Sequence, residues 1–227
     1  GWLIDHFFVR ESHIFVDFFF ILSGFVISIR YDETIQSFIH FAHFLKKRLI
    51  RLYPLLLFST GMYWFFVHPQ FNQHNQLLAL DTLFLTNATP ILGSDLGMNY
   101  PSWSISSEMI SYIVFGICSL IALHTKKHWL LATITFLGIS FLAYQGNYFV
   151  NGDYGFIRGL ICFNLGYFIY IFSKKDFKIH NNIEWISMIG ILSLMYYYHQ
   201  FILISTHRLF ILQLGFPLCF MLSILIF

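Results

Sequence analysis

Long apolar stretches, broken by short polar connections, run through the whole chain. A membrane-spanning helix needs about 20 mostly apolar residues, within roughly 17–25. Seven stretches are near that length: 14–30, 49–67, 103–123, 129–145, 157–173, 185–204 and 209–227. The run Leu77–Leu85 is apolar but too short to cross, so it lies along the interface or re-enters. The pattern predicts an all-α fold, a polytopic transmembrane helix bundle forming one membrane-embedded domain over 1–227. No internal repeat, low-complexity tract or soluble-domain boundary is visible. Gly1 is not an initiator residue, and Phe227 falls within an apolar run. The sequence therefore reads as a piece of a longer chain, truncated at the N-terminus and at the C-terminus.

Composition agrees with lipid as the main solvent. Of 227 residues, 57% are hydrophobic and 11% charged, whereas soluble domains carry about 25% charged residues. The 29 Phe and 13 Tyr suit apolar cores and membrane interfaces. Cys118, Cys162 and Cys219 lie inside apolar runs without metal-ligand spacing, and read as small buried side chains. The histidines are scattered and show no helical zinc-site spacing beside a Glu.

The basic residues are clustered. Arg30, Lys46, Lys47, Arg48 and Arg51 fall in 30–51, and Lys126-Lys127 and the Lys174, Lys175, Lys178 group follow later. The connections between them, 68–102 and 146–156, contain no Lys or Arg. Basic loops stay in the cytoplasm, so 1–13, 68–102 and 146–156 are expected outside. Arg208, in an expected outer loop, breaks the alternation.

A few polar residues interrupt the apolar runs. Arg48 and Arg51 are three apart, on similar faces of one helix, where they can grip phosphates or anchor to lipid headgroups. Glu108 sits about one and a half turns into an apolar helix. An ionisable residue at that depth is costly and marks a candidate site, although the helix N-terminus also favours a carboxylate there. Ser104, Ser106, Ser107 and Ser111 can hydrogen-bond it or a neighbouring helix. Asp17 can cap its helix. Ser23-Gly24, Gly159 and Gly166 read as close helix packing. Arg158 can pair with Asp153 or snorkel. The tripeptide Asn87-Ala88-Thr89 matches a glycosylation acceptor but is common by chance.

Four segments stand in fixed order: Phe15-Val16-Asp17-Phe18-Phe19-Phe20-Ile21-Leu22-Ser23-Gly24-Phe25-Val26-Ile27, Lys47-Arg48-Leu49-Ile50-Arg51-Leu52-Tyr53-Pro54, Pro101-Ser102-Trp103-Ser104-Ile105-Ser106-Ser107-Glu108, and the run from Arg158 to Gly166. Together they resemble the acyltransferase 3 family of bacterial integral membrane O-acyltransferases. The resemblance implies a bundle of about ten helices, of which about seven are visible here. It implies a multi-pass protein of the bacterial inner (plasma) membrane. Its reaction would move an acyl group, often acetyl, from cytoplasmic acyl-CoA to a hydroxyl of an extracytoplasmic glycan such as a surface polysaccharide. Acyl-CoA would be a co-substrate, with no bound cofactor, no metal and no nucleic-acid partner; the other partners would be a carbohydrate acceptor and the lipid bilayer. Lys47, Arg48 and Arg51 would bind acyl-CoA, Trp103, Ser106 and Arg158 the acceptor, and Glu108 would be a catalytic candidate. The family's catalytic histidine follows an Arg by about ten residues on a helix expected upstream of Gly1. Neither His6 nor His13 matches that spacing, since Arg10 precedes His13 by three. Two other readings stay open: a transporter or flippase for a lipid-linked sugar, and a catalytically inactive family member.

Overall fold

The computed structural model describes residues 12–67, 72–91, 98–122, 126–174, 183–201 and 206–226. His6 and Asp95 lie outside them, as does the side chain of Arg208. The described residues form eight α-helices and no strand: α1 (Phe15–Tyr31), α2 (Phe38–Val67), α3 (Gln73–Phe84), α4 (Trp103–Ala122), α5 (Lys127–Gln145), α6 (Gly155–Ser173), α7 (Ile183–Phe201) and α8 (Thr206–Ile226). Single 3-10 turns at Ser12–Ile14 and Tyr100–Ser102 lead into α1 and α4.

Among the described residues, α2, α5, α6 and the Tyr100–Ala122 segment are long and apolar enough to cross a membrane. Their packing differs. About two thirds of the apolar window is buried in α6 (67%) and in the α4 segment (61%), but only 11% in α2. Phe58, Phe65 and Phe66 of α2 are exposed, a surface that only lipid solvates favourably. The helix α2 also starts earlier than the apolar run suggests. Its 30 residues span about 45 Å, so Lys46–Arg51 lie within the helix and not in a connection. Helix α3 has 12 residues, about 18 Å, and is too short for a hydrocarbon core of about 30 Å.

The chain packs as two compact units. The first takes its described residues from 1–30, 135–149 and 161–227. Here α1 and α6 touch backbone to backbone. A Cβ at Gly24 would stand 2.0 Å from the Phe163 carbonyl oxygen, and one at Gly166 would stand 2.1 Å from that of Ile21. The small-residue reading of Ser23-Gly24 and Gly166 is therefore correct for both glycines. Asn164 Nδ2 donates to Thr135 Oγ1 at 2.9 Å. Gln213 of α8 accepts from the Tyr148 backbone N–H at 2.9 Å and donates to the Tyr198 hydroxyl at 3.3 Å. His13 meets Phe149 edge to face at 5.2 Å. Cys162 is buried with its Sγ 3.1 Å from the Tyr148 hydroxyl, as its apolar setting suggests, but Cys219 of α8 is only half-buried.

The second unit comprises 31–134 and 150–160. It packs α2 against α4, and a Cβ at Gly116 would meet the Phe41 ring at 2.2 Å. Lys127, expected in an exposed basic loop, is buried at the start of α5. Its Nζ donates to Asp32 Oδ1 at 2.9 Å and lies 3.7 Å from the Phe115 ring centroid. Neutralisation by Asp32 and the ring's negative face allow the ammonium to leave water.

Candidate functional site

All the site residues expected from sequence fall in the second unit, and α4 is its spine. Pro101 opens the 3-10 turn before it, where a missing N–H costs nothing. One face of α4 is then buried, with Trp103, Ser106, Ser107, Glu108, Tyr112 and Phe115 all inside.

The serines hold the segment before α4 in place. Ser102 Oγ accepts from Asn87 Nδ2 at 2.8 Å. Ser106 Oγ donates to the Leu85 carbonyl and accepts from the Ala88 N–H at 3.4 Å. Ser107 Oγ donates to the Gly155 carbonyl at 2.9 Å, tying α4 to the start of α6. Ser106 is fully buried with its hydroxyl committed to backbone, so it holds the Leu85–Ala88 turn against α4. It secures Leu85, which closes α3 in the left-handed region at φ 57°, a conformation that costs a leucine roughly 1–2 kcal/mol. Asn87 is 1% exposed, which leaves no room for a glycan at the acceptor tripeptide.

At the N-terminal end of α4, the Arg158 guanidinium lies 5.5 Å from the Trp103 ring centroid. Its Nη1 donates to Asn151 Oδ1 at 2.8 Å, and Asn151 Nδ2 donates to the Tyr100 hydroxyl at 3.1 Å. Arg158 is 1% exposed, so it does not snorkel. Gly155 gives the ring its space, since a Cβ there would stand 3.1 Å from Trp103 Cε3. Nearby, Asp81 is buried and accepts from Thr86 Oγ1. Burial pushes the Asp81 carboxyl above its ordinary range; the Thr86 bond opposes this and the Asp153 charge adds to it.

Midway along α4, Glu108 is buried at 6% exposure. The Tyr112 hydroxyl, one turn on, donates to Glu108 Oε1. The face of the same Tyr112 ring supports Arg48, whose guanidinium carbon lies 5.6 Å from its centroid. Tyr31 at 5.1 Å and Phe44 at 5.6 Å complete three aromatic walls around Arg48. The Arg48 Nε is buried and has no hydrogen-bond acceptor among the described residues. Lys47 and Arg51 are exposed. The structure therefore separates the expected pair, with Arg48 turned into the unit and Arg51 outward beside Lys47.

The arrangement places a ring-walled cation, a buried carboxylate and an aromatic–guanidinium pair along one helix. It can hold an anion at one end and orient a hydroxyl compound near the other. Sequence reasoning missed Tyr112 and Asn151. The signal for Tyr112 was its i+4 spacing from Glu108; Asn151 is a loop residue with no spacing signal. Among the described residues, no cluster of three or more His, Cys, Asp or Glu side chains is arranged to hold a metal.

No curated protein and no solved structure matches this chain. A family model described as an acyltransferase domain does match it, over residues 2–227. With helices suited to a bilayer and polar residues strung along α4, the chain belongs to the acyltransferase 3 family of membrane acyltransferases.

Proposed function

We propose that the protein is a membrane O-acyltransferase of a bacterial plasma membrane. It takes an acyl group, acetyl in the simplest case, from cytoplasmic acyl-CoA and delivers it to a hydroxyl of an extracytoplasmic glycan. The observation that carries this reading is Glu108, a carboxylate buried in an apolar helix between Arg48 on one side and the Trp103–Arg158 pair on the other. A buried carboxylate is costly unless it has partners and a task.

In the reaction, the glycan hydroxyl oxygen bonds to the thioester carbon and the C–S bond breaks. The hydroxyl proton passes through a general base to the departing coenzyme A sulfur. The family resemblance implies a histidine for that step, on a helix ahead of α1. Glu108 orients this base or accepts from the sugar hydroxyl. Trp103 stacks on the apolar face of the sugar, and Arg158 fixes the Trp103 ring from behind. Lys47 and Arg51, exposed on α2, meet the coenzyme A phosphates. Arg48 presents its buried guanidinium to the donor's inner portion.

The test is acyl transfer by the intact protein in proteoliposomes, with labelled acetyl-CoA on one side and glycan acceptors on the other. Glu108→Gln keeps the shape and removes the charge. It is expected to abolish transfer while membrane abundance stays at the parental level. Near-parental transfer by Glu108→Gln would remove the catalytic role.

A further inference from the structure

We infer that Tyr112 is a positioning residue that joins the donor half of the site to the acceptor half. The inference rests on the acyltransferase reading above and deepens it. Tyr112 is 1% exposed and uses both parts of its side chain. The hydroxyl donates to Glu108 Oε1 and so fixes one carboxylate oxygen. The ring face backs Arg48 at 5.6 Å. One side chain therefore touches both the carboxylate and the guanidinium. The ring is itself held: Phe44 meets it edge to face at 5.8 Å, and Phe44 also packs on Tyr31 at 4.8 Å and on Phe115 at 6.4 Å. These contacts hold the Tyr112 ring in place, so its hydroxyl and its face keep fixed positions relative to Glu108 and Arg48. One rigid side chain thereby sets the Glu108 carboxylate that serves the acceptor and backs the Arg48 guanidinium that serves the donor.

The two parts of the side chain make separable predictions. Tyr112→Phe keeps the ring and deletes only the O–H. It is expected to lower kcat for acyl transfer roughly tenfold or more, the scale of one lost hydrogen bond to a charged group, and to leave the apparent KM for acyl-CoA within about twofold. Tyr112→Leu removes the ring as well and is expected to raise that KM roughly tenfold. In a Glu108→Asp background, which keeps a carboxylate but withdraws it from the hydroxyl, Tyr112→Phe is expected to cost little further. Infrared spectroscopy of the intact protein in membranes supplies an arm that needs no substrate. The carboxyl band lost in Glu108→Gln is expected to move in Tyr112→Phe. A parental kcat and an unmoved band in Tyr112→Phe would overturn the inference. Equal KM and kcat losses in Tyr112→Phe and Tyr112→Leu would reduce Tyr112 to packing and overturn it too. If the parent protein transfers nothing from acyl-CoA, the acyltransferase reading falls, and the infrared band alone still decides whether Tyr112 sets the carboxylate.

Discussion

Arg48 and Arg51 are three residues apart, and that spacing puts both near one helical face. The structure separates them because the face is narrow: Arg48 falls on its inner edge, among Tyr31, Phe44 and Tyr112, while Arg51 stays in solvent or headgroups. Burial then decides what each is worth. A charge-assisted contact from Arg48 stands to contribute about 1.5–3 kcal/mol, whereas exposed charges at Arg51 are screened by salt. Arg48→Ala is accordingly expected to raise the apparent KM for acyl-CoA at least tenfold at any ionic strength. Arg51→Ala is expected to raise it modestly at low salt and not at all near 0.5 M. Donor kinetics at the two salt concentrations distinguish them, and equal salt dependence would remove the distinction. Asp81 gives a second residue-scale prediction. Its folded-state pKa is raised, chiefly by burial. The unfolded chain releases the proton near pH 4 while the folded chain keeps it to higher pH, so stability falls as pH rises through that interval and then levels. Melting temperatures of the solubilised protein are expected to show this slope, and Asp81→Asn to flatten it. An unchanged slope in Asp81→Asn would assign the effect to other groups. At this scale the sequence showed Glu108, because a lone acid in an apolar run is conspicuous. It did not show that Ser106 serves backbone, since a hydroxyl's partner depends on the fold of the distant Leu85–Ala88 turn.

Helices α1 and α6 meet at glycines, and their approach leaves less space than any other side chain needs. Gly24→Ala would drive a methyl to 2.0 Å from the Phe163 carbonyl, and Gly166→Ala to 2.1 Å from that of Ile21. The clashing atoms are backbone, so rotamer changes give no relief. The expected cost is about 1–3 kcal/mol or more for each, visible as lower membrane abundance and a lower melting temperature. Gly61→Ala and Gly190→Ala, where a Cβ meets nothing within 4 Å, serve as matched controls. If all four variants behaved alike, the close approach would not be what holds α1 to α6. The same comparison shows what patterning reveals. Apolar run length located the helices, because only an uninterrupted apolar surface suits lipid. It placed the start of α2 too late, since a helix continues past the hydrocarbon boundary wherever backbone hydrogen bonds do, and the basic stretch from Lys46 to Arg51 is helical too. It could not show that Lys127 is buried, because the compensating Asp32 lies 95 residues away in sequence.

Which end of each helix faces the cytoplasm follows from the loops taken together. Basic residues fall in alternate connections, and that alternation holds only if α3 does not cross. Its 12 residues, at about 18 Å, satisfy the condition on length alone. Anchoring also fits a non-crossing segment: Asn72 caps the helix by accepting from the Asn75 N–H at 2.8 Å, and Tyr53 of α2 donates to the Leu83 carbonyl at 2.8 Å. If α3 crossed instead, every later loop would change sides, and Lys126, Lys127 and Lys174 would all lie outside against the positive-inside bias. The proposed donor and acceptor assignments depend on this, because a cytoplasmic acyl-CoA would reach Lys47 and Arg51 only from that side. Labelling of single cysteines decides the matter, in a background with Cys118, Cys162 and Cys219 replaced. Gln76→Cys, exposed on α3, is expected to react with a membrane-impermeant maleimide in intact cells. Glu33→Cys, exposed in the turn after α1, is expected to react only after lysis. Labelling of both in intact cells would mean that the chain between them makes no net crossing, so α2 could not be the span that separates the two sides. A reversed pattern would invert the molecule and put the proposed coenzyme A-binding cations on the wrong side of the membrane for a cytoplasmic donor.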